Sequence, residues 1–248
     1  MKISNFWSLG IIGLALSGLV ACGGASDQST EAEGASSDMA AEDEGWVEMI
    51  QGNSKAGWTQ LNGRAIYDVQ DGVVIGTTKF GEPNSFLATD KMYGDFILEY
   101  EVMVHDSLNS GVQIRSHQYE SDSTFMTKNS EGEMVERKRE KGRVHGYQIE
   151  IDPSERAYSG GIYDEARRGW LKDLSDNPEA REAFKNGEWN QYRVEAIGDT
   201  IRTFINGVPA AEIVDTVDAS GFIALQVHAT HHEEPMEVKW RNIRIKEM

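Results

Sequence analysis

One cysteine among 248 residues, Cys22, excludes any intrachain disulfide. A basic surface is missing as well. The formal net charge is −17, and setting aside Lys2 and the seven acids of residues 23–45 still leaves −11 for residues 46–248. That balance argues against nucleic acid as a partner, because its readers carry a basic footprint. The one basic cluster, Arg137, Lys138, Arg139, Lys141 and Arg143, is broken by Glu140 and preceded by Glu131, Glu133 and Glu136, and it reads as a solvated loop. No repeat of fixed period occurs, no loop has a recognisable calcium-binding spacing, and a single segment carries helical signals. The apolar stretch Phe6 to Val20 is too short and wrongly flanked for a membrane span.

That stretch has another reading. Lys2 precedes it and small residues close it, which is the pattern of a signal peptide over residues 1–21. Leu19-Val20-Ala21-Cys22 resembles a lipobox, so Cys22 is expected to carry lipid and anchor the chain in a membrane. Residues 22–45 then form a tether of Gly, Ala, Ser, Asp and Glu with no base and almost no apolar side chain. Such a segment cannot offset its ordering entropy and is expected to be disordered, holding the remainder of the chain off the membrane. The expected location is the cell envelope; Gly23, in place of an aspartate after Cys22, points to the outer membrane.

Residues 46–248 suit one all-β domain. Phe96, Leu98, Tyr100, Val102 and Val104 alternate with polar neighbours, the period of a strand. Asp71-Gly72 and Asn206-Gly207 sit between apolar runs as hairpin turns do. Further strand signals cover Tyr192 to Ile197, Ile201 to Ile205, Phe222 to His228 and Val238 to Ile245. The one helix is expected to start at Asn177 as N-cap with Pro178 in first position and run from Glu179 to Lys185. Many strands and one short helix make a β-sandwich.

Three strand segments place planar polar groups opposite their aliphatics: Gln113 and Arg115; Gln148, Glu150 and Asp152; Gln226 and His228. An ordinary solvated face would explain any one of them. Amide, carboxylate, guanidinium and imidazole groups also suit the vicinal hydroxyls of a sugar, and Tyr163 and Trp170, close in sequence to Arg167 and Arg168, could stack on a sugar ring. Together they describe a carbohydrate groove on a concave sheet.

Six segments in order carry a family resemblance: Asn109 to Arg115, Gly146 to Asp152, Gly160 to Asp164, Gly187 to Asn190, Asn206 to Val208 and Trp240 to Ile245. Over residues 46–248 the chain is similar to the 3-keto-disaccharide hydrolase domain family; Trp46 to Gly63 departs from the usual opening of that family. The resemblance implies a concanavalin-A-like jelly-roll sandwich and cleavage of a glycoside already oxidised at C3. That reaction removes the acidified C2 proton, eliminates at C1 and adds water, so it needs a base, a partner for the enolate oxygen and an acid. Glu150 or His145 would be the base. Arg115, His228 or a divalent cation would stabilise the enolate, and Asp152 would orient a neighbour or bind such an ion. Gln113, Arg115, Gln148, Asp152, Tyr163, Arg167, Arg168, Trp170 and Gln226 would contact sugar. No cofactor is firmly implied.

Two other readings fit the same residues. Glu150, Asp152 and Glu155 approach the acid pattern of laminarinase-like hydrolases, and retaining chemistry needs two carboxyl groups about 5–5.5 Å apart. A sugar-binding module without catalysis is the other. His231-His232, adjacent and so facing opposite ways in an extended segment, reads as a turn rather than a metal site; His105 and His117 read as solvated strand-edge residues, and Asp215 and Asp218 as loop acids.

Overall fold

Alternation becomes strand wherever the sequence shows it. The computed structural model describes residues 44–128 and 132–248, so the expectations for the signal peptide, Cys22 and the tether up to residue 43 lie outside the described residues. Within them the chain runs β1 (Trp46–Glu48), β2 (Trp58–Asn62), β3 (Ile66–Gln70), β4 (Val73–Thr77), β5 (Ser85–Thr89), β6 (Phe96–Val104), β7 (Ser110–Gln118), β8 (Ser123–Lys128) and β9 (Met134–Arg139). There follow β10 (Val144–Ile151), β11 (Ile162–Glu165), β12 (Gly169–Lys172), α1 (Pro178–Ala183), β13 (Asn190–Ile197), β14 (Thr200–Ile205), β15 (Val208–Val214), β16 (Phe222–Val227) and β17 (Glu237–Glu247).

Two sheets form the layers. One orders its strands β15-β14-β13-β6-β17-β4-β3, with β1 also on β17; the other runs β12-β11-β10-β7-β16-β5-β2. Leu98, Tyr100, Val102, Tyr192, Val194 and Trp240 from the first pack against Val112, Ile114, Ile149, Ile151 and Leu225 from the second. Each aliphatic side chain buried there contributes about 1.5–3 kcal/mol relative to exposure. The product is an all-β, concanavalin-A-like jelly-roll sandwich with one short helix.

Local chemistry sets the connections. At the β3–β4 and β14–β15 turns, Asp71 and Gly72 have φ of 50° and 80°, and Asn206 and Gly207 have 49° and 82°. Positive φ at both central residues is what a tight hairpin turn needs. Asn177 caps α1 by accepting from the Ala180 N–H at 3.2 Å. The helix stops at Ala183, short of Lys185, because Phe184 turns extended (φ −73°, ψ 135°).

One expectation is corrected. Arg137, Lys138 and Arg139 are not in a loop, since Met134–Arg139 pairs with β8 as a two-stranded hairpin; Lys141 and Arg143 lie in the turn that follows. Phe125 lies under the Arg139 guanidinium at 5.6 Å, and Arg139 Nε donates to Ala166 O at 3.0 Å. Backbone pairing needs no apolar face when the side chains stay in reach of water.

A bulge in β7 decides the site. Gln113 pairs Ala224 while Ser116 pairs Phe222, and Ile114 pairs Tyr147 while His117 pairs His145. Against both neighbours β7 thus holds one extra residue, and Arg115 takes a φ of 43°. A bulge of this kind re-aims side chains. Gly111 and Gln113 face outward, Ser116 regains that face, and Arg115 is thrown inward.

Candidate functional site

The outward face of the seven-stranded sheet carries the candidate site. Trp170, Tyr163, Gln148 and Gln113 are successive cross-strand neighbours on β12, β11, β10 and β7. One step along, Glu150 is opposite Gly111, which in turn pairs Gln226. The remainder of this face is closed by a second apolar cluster, Phe86, Ala88, Val144, Phe222 and Ala224 with Leu61 against it. Asn62 ties a loop over that cluster, donating to Gly142 O at 2.8 Å and accepting from Val144 N at 2.9 Å. The opening left is a cleft of about 520 Å³ rather than a groove along the sheet. That volume lies within the usual range for small-molecule pockets.

Glu150 is at the centre of the polar wall. It is 5% exposed yet lines the cleft. Asn109 Nδ2 donates to its Oε1 at 2.7 Å, Gln148 Nε2 to its Oε2 at 2.9 Å, and Arg156 Nη2 to Oε1 at 3.2 Å. Burial pushes its carboxyl up from 4.5 to about 7; the donors Asn109 and Gln148 and the Arg156 cation pull it back, and Asp152 adds to the rise. Asp152 accepts from Arg156 Nε at 2.7 Å and from the Ser154 hydroxyl at 2.6 Å. One guanidinium therefore bridges both carboxylates. The Arg156 cation also lies 5.2 Å from the Trp170 ring centre, and Trp170 meets Tyr163 edge-on at 5.2 Å.

His228 completes the lining on the β16 side. Its Nδ1 lies 2.8 Å from Ala229 O. A carbonyl only accepts, so this contact requires the hydrogen on Nδ1.

Of the residues proposed from sequence, Gln148, Glu150, Asp152, Tyr163, Trp170 and His228 line the cleft. Gln113 and Gln226 face it but have no exposed surface. Four do not join them. Arg115, 1% exposed, crosses to the other sheet's end, donating to Gly94 O (2.9 Å), Gly198 O (2.8 Å) and Asp95 Oδ1 (2.8 Å). His145 is odd-numbered on a strand whose even positions face outward; its ring lies against Tyr119, tilted by 42° at 4.3 Å. Burial, helped by the Arg167 cation, holds it at about 4, so it is neutral near pH 7. Arg167 and Arg168 both grip the fully buried Asp164, and reach on to Asp218 (2.5 Å) and Asp215 (2.7 Å). Asp215 and Asp218 are therefore anchors of an ion-pair cluster.

Sequence reading missed Asn109 and Arg156. Asn109 stood in view, two residues ahead of Gly111. Arg156 reaches back because β10 ends at Ile151 and the Ser154–Ala157 turn closes, with Ala157 N donating to Ser154 O at 2.9 Å and a φ of 54° at Ala157. Glu155, the third acid of the laminarinase-like pattern, is exposed on this turn and is not part of the cleft lining. Among the described residues no group of three or more His, Cys, Asp or Glu side chains is placed to hold a metal ion. Where a cation would bridge Glu150 and Asp152, Arg156 is seated.

The 3-keto-alpha-glucoside-1,2-lyase-like domain matches this chain over residues 45–246. No curated protein sequence matches it. Among solved structures, the sandwich is similar to a putative glycosyl hydrolase from Parabacteroides distasonis (15% identity, 84% of this chain and 95% of that one, TM-score 0.52). It is also similar to the carbohydrate-binding module CBM66 from Bacillus subtilis (13%, 80% and 97%, 0.50) and to a galectin-like protein of unknown function from the same organism (11%, 77% and 89%, 0.52). At these identities the likeness concerns the fold.

Proposed function

We propose, on the premise that this chain belongs to the 3-keto-alpha-glucoside-1,2-lyase-like family, that it cleaves 3-keto-glycosides with Glu150 as the base. The observation that carries this reading is a buried carboxylate, held in place by three donors and poised near neutrality, on the wall of a sugar-sized cleft. A base is most useful when its pKa lies near the working pH.

Glu150 takes the proton from C2, which the neighbouring C3 ketone has acidified. The C2–H electron pair becomes the C2=C3 bond and the ketone oxygen becomes an enolate. Arg156 is the cation at hand to stabilise it, since Nη1 has no partner among the described residues while Nε and Nη2 are spent on Asp152 and Glu150. The enolate then re-forms the C3 carbonyl, its electrons make the C1=C2 bond, and the C1–O bond breaks. Tyr163, whose phenol burial keeps protonated, supplies the proton for the departing oxygen. Water finally adds across C1=C2: its hydroxyl joins C1, its proton restores Tyr163, and Glu150 returns its proton to C2, which releases the free 3-keto sugar. Trp170 and Tyr163 give the sugar ring a face to rest on.

The decisive experiment offers a 3-keto-glucoside and its parent glucoside, with and without chelator. Only the keto compound should be cleaved. Cleavage of the parent at a similar rate would return the site to conventional glycoside hydrolysis, and keto-sugar binding without product would make it a binding module.

The pH profile has a fixed sign. The base must be ionised, so kcat/KM should rise with pH through a midpoint near 7 and fall about 100-fold between its plateau and pH 5. A profile flat from pH 5 to 8 would remove Glu150 from the proton transfer.

A further inference from the structure

Two buried amides behind Glu150 have no part in these steps. Gln113 on β7 and Gln226 on β16 have no exposed surface, so neither meets a substrate. Both nevertheless donate Nε2 to one atom, Gln148 Oε1, at 2.7 Å each. Gln148 passes the polarity on, donating its own Nε2 to Glu150 at 2.9 Å. Valence fixes these directions. An ionised carboxylate only accepts, so Gln148 must turn its NH2 towards Glu150, and its oxygen then faces two groups that must both donate. The Gln113 oxygen is taken by the Ser116 hydroxyl at 2.8 Å, a residue that the β7 bulge returns to this face. Gln226 Oε1 is buried without a partner among the described residues. An unmet acceptor costs free energy, so Gln226 is held for the sake of the hydrogen bond its nitrogen makes.

Geometry shows why β7 carries glycine at position 111. Gln148 on β10 reaches Gln226 on β16 only by lying over the strand between them. A Cβ on Gly111 would stand 2.6 Å from Gln148 Cγ and Cδ and 2.8 Å from Nε2. Real carbon atoms do not approach so closely.

We propose that Gln113, Gln226 and Ser116 are positioning residues which lock the Gln148 amide with its N–H groups towards Glu150, and that Gly111 is the gap this lock requires. The lock offsets part of the cost of a buried negative charge, keeping Glu150 ionised and aimed. It deepens the reading of Glu150 as the base and rests on it. The other titratable groups around Glu150 are Arg156 and Asp152 just beyond its own strand, Tyr163 and Glu165 on β11, His228 after β16, Asp106 in the β6–β7 loop and, from the other sheet, Tyr192 on β13. None is altered by the test.

The test compares wild type with Gly111→Ala and Gln148→Leu, using full chain labelled with ¹³C at glutamate carboxyls. The Glu150 signal, identified by its loss in Glu150→Gln, is titrated without substrate, and thermal melting checks the fold. Losing donors to the carboxylate should raise its midpoint by about one pH unit in both variants; Gln226→Met, which removes one support only, should give a smaller rise. An unchanged or lowered midpoint in folded protein overturns the lock. If Gly111→Ala fails to fold, Gln148→Leu decides alone. Because this readout needs no turnover, a shift without any 3-keto-glucoside cleavage would leave the lock standing and remove the proposed reaction.

Discussion

Glu150→Gln should lower cleavage of a 3-keto-glucoside by about 10²–10⁴-fold, the range supplied by a positioned general base, while the protein stays folded. Glutamine has the same outline, and Asn109 can still donate to its oxygen. The substitution should also change how stability responds to pH. Burial raises the Glu150 carboxyl from 4.5 to about 7, so the folded state holds this proton more tightly than the unfolded chain. The stabilisation is complete below pH 4.5 and is lost as pH climbs towards 7, a change on the order of 3 kcal/mol. Melting curves of Glu150→Gln against wild type should therefore diverge over that window, with the variant relatively more stable at the alkaline end. Wild-type turnover by the variant would sink the mechanism; parallel melting curves would mean that Glu150 is ionised at its ordinary pKa.

Arg115→Met should have the opposite signature. Its guanidinium joins one sheet to the loops at Gly94, Asp95 and Gly198 on the other, with 1% of its surface exposed. Methionine keeps much of the volume but loses all three hydrogen bonds, a loss of about 3 kcal/mol. For a domain of this size that corresponds to roughly 10 °C in Tm. Turnover per folded molecule should stay within about twofold of wild type, because Arg115 is not part of the cleft lining. Lost turnover at an unchanged Tm would put Arg115 back where alternation alone would place it, on the site face.

Those two residues mark how much of the site was legible. Gln148, Glu150 and Asp152 follow from simple alternation along β10; His145, expected as an alternative base, is odd where they are even and falls outside the cleft lining. Arg115 followed the same rule and was misplaced, since one extra residue in β7 reverses the phase and nothing in Ile114-Arg115-Ser116 announces it. Arg156 was invisible for a different reason. It lies beyond the end of its strand, and a turn through a positive φ at Ala157 brings it back onto Glu150 and Asp152. Arg167 and Arg168 had the right chemistry for a sugar but are consumed by Asp164 on the adjoining strand β11 and by Asp215 and Asp218 from a loop distant in sequence.

By itself the sequence determined the alternating strands, the two Asx-Gly hairpins and the capped start of the helix, because each of these depends on neighbours a few residues apart, and through the many strands it determined the all-β class. Which polar side chains converge was decided only by the tertiary structure. Strand register, a single bulge and the pairing of charges across loops are long-range events, and they select six wall residues from a longer list of equally plausible ones.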